Sequence, residues 1–81
     1  MAVITLTTID DFKKVLKYVN SNSHLAITDS ANTIWLVPLK SSRHRHYFIY
    51  KAPSEKQLRE ILQEIGKQGI EIIQGEVQVK E

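Results

Sequence analysis

Residues 24–51 read HLAITDSANTIWLVPLKSSRHRHYFIYK, three runs rich in β-branched and aromatic residues separated by two polar breaks. His24 to Thr28 alternates, with Leu25 and Ile27 on one side, and Thr33 to Leu39 is the stronger run. Asp29-Ser30-Ala31-Asn32 between them is turn chemistry and predicts a hairpin with a four-residue loop. Lys40-Ser41-Ser42-Arg43 is the second break, and His44 to Lys51 reads as the third strand of a meander. Pro38 has no N–H to give to a ladder, which places it at an edge or a strand end.

Working outward, Val3 to Leu6 is a short alternating strand with Ile4 and Leu6 on one face. Thr8, three residues before Asp11, opens a helix on which Ile9, Phe12, Val15, Leu16 and Val19 form an apolar stripe; Asn20-Ser21-Asn22-Ser23 ends it. Lys13, Lys14 and Lys17 fall on its solvated side, with weak local pairs to Asp10 expected. On the other flank, Ser54 and Gln57 make a capping box before Leu58, Ile61, Leu62 and Ile65, with Glu60 and Glu64 outward and Gly66 or Gly69 at the stop. Residues 70–79 predict a last strand whose apolar phase slips between Ile72 and Ile73, a bulge at that step or at Gly75.

The order is β-α-β-β-β-α-β, which predicts a single α+β domain spanning residues 1–81 with two helices on one face of a four- to five-stranded mixed sheet. If the first two strands lie parallel, the first helix is a crossover between them. The other face then has no helix, and must be polar, dimerised or a binding surface. Function is expected there or along a sheet edge.

Composition narrows the chemistry. With 81 residues the chain buries only about 60–65% of its unfolded surface, which makes association with a partner or a second copy an expectation. There is no cysteine, hence no disulfide, thiolate metal site or cysteine nucleophile; no apolar run approaches the roughly 20 residues of a membrane span, and a cytoplasmic location is the expectation. No glycine-rich phosphate loop, His-Glu zinc helix or Gly-x-Ser-x-Gly turn occurs, and a Ser30, His24, Asp29 set has only sequence proximity behind it. The expectation is a chain that is not an enzyme, with no cofactor, no metal and no evident small-molecule substrate.

The net charge of +2 is unevenly spread, and residues 24–53 carry Lys40, Arg43, Arg45 and Lys51 against Asp29 alone. Strand alternation would put Arg43, Arg45, Tyr47, Ile49 and Lys51 on one face and His44, His46, Phe48 and Tyr50 on the other. If Phe48 and Tyr50 pack on the helices, the bare face presents a cationic row. Its expected partner is nucleic-acid backbone, held through Arg43, Arg45, Tyr47 and Lys51 with Lys40 at the rim. His44 and His46, two residues apart, could add charge in mild acid; as metal ligands with His24 they lack a neighbouring carboxylate or thiolate. Trp35, between Ile34 and Leu36, reads as core rather than as a stacking platform.

The alternative is that these charges only protect an edge. The chain is then a homo-oligomerising or protein-interaction subunit that pairs through its bare face or an edge strand. The element order invites comparison with single-stranded RNA-binding sheets and double-stranded RNA-binding domains. Arg45 to Tyr50 lacks the glycine of the first, and Ser54-Glu55-Lys56-Gln57 lacks the lysine cluster of the second.

Overall fold

A computed structural model describes residues 2–77, the side chain of residue 2 excepted. The expected order is found: β1 (Ala2–Leu6), α1 (Ile9–Leu16), β2 (His24–Thr28), β3 (Thr33–Pro38), β4 (His46–Lys51), α2 (Glu55–Lys67) and β5 (Ile72–Gln74). They form one five-stranded sheet of order β1-β4-β3-β2-β5. β1 pairs parallel with β4, β5 pairs parallel with β2, and β3 runs antiparallel to both its neighbours. Four strands therefore share one direction. α1 joins β1 to β2 and α2 joins β4 to β5, each connection passing over the two strands between its ends.

Both helix starts are chemically fixed. The Thr8 hydroxyl accepts the Asp11 N–H at 3.1 Å and the Ser54 hydroxyl accepts that of Gln57 at 3.2 Å; each such cap is worth about 1 kcal/mol. α2 ends before Gly69, which at φ +75° supplies the left-handed turn. Phe12, Leu16, Ile61 and Ile65 bury their stripes against Ala26, Ile34, Leu36 and Tyr50 on one sheet face. Tyr50 is held twice: its ring lies 5.4 Å from that of Phe12, and its hydroxyl donates to Gln57 Oε1 at 2.6 Å.

Several expectations need correction. β3 ends at Pro38 and β4 begins at His46, so Arg43, His44 and Arg45 are not on a strand. The antiparallel register, continued, sets Pro38 opposite His46, and beyond Pro38 no ladder remains for residues 44 and 45 to join. Their polar groups are used locally instead: the Ser42 hydroxyl accepts the His44 N–H at 3.0 Å, and Arg45 Nη1 donates to the Ser42 carbonyl at 3.3 Å. β5 spans only Ile72–Gln74 and stops before Gly75; the last part of the expected strand lies outside the described residues. The Asp10 pairs do not form, and the one ion pair among the described residues joins Lys67 to Glu64 at 3.3 Å.

Candidate functional site

Side-chain alternation assigns the two sheet faces. His24, Ala26 and Thr28 of β2 and Ile34 and Leu36 of β3 are buried beneath the helices, so Leu25, Ile27, Thr33, Trp35 and Val37 project from the opposite side. Tyr47, Ile49 and Lys51 of β4 join them there, with Val3 and Thr5 of β1 and Ile73 of β5, as the strand registers require. None of these side chains belongs to the hydrophobic core or packs against it.

The registers place these residues in lateral rows. Thr5, Ile49, Trp35, Ile27 and Ile73 form one row across all five strands. Val3 and Tyr47 face each other in the next, as do Leu25 and Val37. Thr33 and Lys51 close one end. The bare face is thus apolar, with one cation at its margin, and its composition is that of the inner surface of a β-sandwich rather than of a solvated sheet. Four strands of five to six residues and one of three, about 4.8 Å apart, give it a footprint of about 400 Å². Trp35 is a correction: it stands at the centre of this face, half-buried, and is not in the core. Its indole N–H reaches Asp29 Oδ2 at 3.4 Å, while Asp29 Oδ1 accepts the N–H groups of Ala31 and Thr33 and so fixes the hairpin turn.

The five residues expected to hold nucleic acid are divided by this geometry. Tyr47 and Lys51 lie on the bare face, as expected, whereas Lys40, Arg43 and Arg45 are exposed in the loop between β3 and β4, at the end of the sheet opposite Lys51. No cationic row crosses the face. The guanidiniums do not align with Tyr47, because Arg43 and Arg45 precede the first residue of β4 and lie outside its ladder.

A polar cluster lies beneath the same loop. His24 is 1% exposed and both ring nitrogens are engaged: Nδ1 lies 2.9 Å from Ser23 Oγ and Nε2 lies 3.2 Å from the His46 carbonyl. With Nε2 protonated, Nε2–H donates to His46 and Nδ1 accepts the Ser23 hydroxyl, whose oxygen accepts the Asn20 N–H at 2.9 Å. The His44 and Phe48 rings stand 5.2 and 5.9 Å from the His24 ring. The structure brings His24 and His44 together, yet neither His24 nitrogen is left for a metal, and among the described residues no group of three His, Cys, Asp or Glu side chains is arranged to hold one. Burial, reinforced by His44 and His46 and partly offset by the His46 carbonyl, lowers the His24 pKa below its ordinary value of 6.5. Ser30, His24 and Asp29 do not assemble, because His24 and Asp29 sit at opposite ends of β2.

No family model, curated protein or solved structure matches this chain. The described residues also line two hollows. A groove of about 350 Å³ between α1 and α2 has Ile9, Leu16 and Ile61 among its walls and Lys13, Glu60 and Glu64 at its polar margin. A shallower one of about 360 Å³ lies beside Asp29, Ser30 and Glu76. Neither contains a histidine or a serine bonded to one. Among the described residues no helix is long and apolar enough to cross a membrane.

The signal for the bare face was present in the sequence. Thr33 to Val37 is apolar on both sides of the pleat, and Leu25 and Ile27 outweigh Ala26, so β2 and β3 each carry an apolar set in excess of what two helices can cover.

Proposed function

We propose that this chain is a non-catalytic interaction module whose bare sheet face closes against the same face of a second copy. The observation that carries the reading is the apolar double row centred on Trp35. An apolar patch of this size on a small protein is often functional. A second copy suits the face because it is uncharged apart from Lys51 at its margin, so two copies meet without like charges at the centre. A footprint of about 400 Å² is roughly half the 800 Å² that each partner gives to a standard interface, so the contact is weak and its extent depends on concentration.

Sedimentation equilibrium over a wide range of concentration tests this. The wild type is expected to associate, and Ile49→Lys to reduce association while keeping its circular dichroism spectrum, since position 49 is half-buried on the bare face and outside the core of the single chain. A wild type that stays a single chain at the highest concentration overturns the reading.

A second reading is favoured by one observation: Lys40, Arg43 and Arg45 are exposed together on one loop, with no carboxylate in ion-pair contact among the described residues. Such a loop suits nucleic-acid backbone, with Tyr47 and Lys51 outside the main contact. Its affinity for a labelled oligonucleotide would fall steeply between about 50 and 300 mM salt and be lost in Arg43→Ala/Arg45→Ala. Absence of binding at low salt removes this reading and leaves the first intact.

A further inference from the structure

The two edges of the sheet differ in their protection. β5 is three residues long, with Glu71 before it and Gly75 and Glu76 after it, the usual means of blunting an edge. β1 has none of these means. Ala2 to Leu6 holds no charge, proline or glycine, and pairs without interruption with β4 from Ala2↔His46 to Leu6↔Tyr50. Val3 on the bare side and Ile4 on the helix side are 44% and 37% exposed. A regular apolar strand whose outer row of backbone groups has no strand partner among the described residues is a template for another strand.

We propose that β1 pairs antiparallel with β1 of a second copy, about a two-fold axis perpendicular to the sheet at Ile4. This register sets Ile4 opposite Ile4, Val3 opposite Thr5 and Ala2 opposite Leu6, so no like charges face each other across the seam. An axis perpendicular to the sheet leaves both bare faces on one side of a continuous ten-stranded layer. The inference rests on the proposed face contact and supplies what that contact lacks: the shared face grows from about 400 to about 800 Å², the area each partner gives to a standard interface. The axis of the seam is perpendicular to that of the face contact, and where they intersect the assembly closes at four chains, two ten-stranded layers packed bare side to bare side.

Ile4 and Ile49 lie on opposite sides of the sheet, so their substitutions separate the two contacts. Light scattering of the full chain is expected to give four chains for the wild type, two for Ile4→Lys, two for Ile49→Lys and one for the double variant. Should Ile4→Lys fail to fold, Ile4→Thr keeps the β-branch and is expected to weaken the seam. Amide hydrogen exchange of β1 in the wild type gives a second reading, with protection of its outward N–H groups expected to rise with concentration. A two-chain wild type that Ile49→Lys dissociates and Ile4→Lys does not would overturn the β1 seam and leave the face contact standing. The reverse pattern would overturn the face contact and retain the seam. A four-chain wild type unchanged by Ile4→Lys, or β1 amides that stay unprotected at every concentration, also overturns the seam.

Discussion

Lowering the pH from 8 to 5 tests the His24 cluster, because a single buried imidazole then controls part of the stability. In the folded chain His24 is 1% exposed, hydrogen-bonded at both nitrogens and 5.2 Å from the His44 ring. Its pKa is lowered, first by burial. In the unfolded chain it titrates near 6.5. Between the folded value and 6.5 the unfolded chain therefore holds the extra proton, so stability rises with pH across that window. The contribution is full above pH 6.5, declines as the pH falls, and levels off below the folded pKa. One proton limits the slope to about 1.4 kcal/mol per pH unit. Urea unfolding at constant ionic strength and chain concentration, followed by circular dichroism, measures it. His24→Gln removes the titrating group and is expected to flatten the curve below 6.5. At pH 8 it is expected to cost about 1–3 kcal/mol, since the His46 carbonyl and Ser23 hydroxyl lose a well-placed partner. Equal stability at pH 5.5 and 8, or an unchanged slope in His24→Gln, refutes the reasoning.

Tyr50→Phe removes the 2.6 Å bond to Gln57 and leaves the ring contact with Phe12, so chemical denaturation should register a loss of about 1 kcal/mol. Gly69→Ala places a Cβ at φ +75° and is expected to lower the melting temperature. Gly66→Ala, inside α2 with no atom within 4 Å of the new Cβ, is expected to stabilise by about 0.5–1 kcal/mol in the same measurement. Asp29→Ala releases two turn amides and the Trp35 indole N–H, and should shift Trp35 emission together with a stability loss of about 1–3 kcal/mol.

The element order and the single-sided placement of the helices were legible because the caps at Thr8 and Ser54 and the helical stripes repeat at spacings that strands do not share. Which side of β2 faces inward was not legible from hydrophobicity. Leu25 and Ile27 are more apolar than His24, Ala26 and Thr28, yet they face outward. His24 is tolerated inside because Ser23 and the His46 carbonyl satisfy it, a partnership between residues 22 positions apart that no local pattern displays. The basic segment departs from strand alternation for a related reason. The sequence pattern alternates through Arg43 and Arg45, whereas β3 ends at Pro38 and Ser42 supplies local hydrogen bonds in place of a ladder. Trp35 could not be assigned from its neighbours, since Thr33 to Val37 is apolar on both faces.

Trp35 is the single tryptophan of the chain and stands at the middle of the bare face, so its fluorescence reads the central claim directly. Dilution of the wild type should move its emission from the blue toward the red as the face becomes wet, and the midpoint should move to higher concentration in Ile27→Thr/Ile49→Thr. Emission that is independent of concentration and equal to that of the doubly substituted chain would contradict the account.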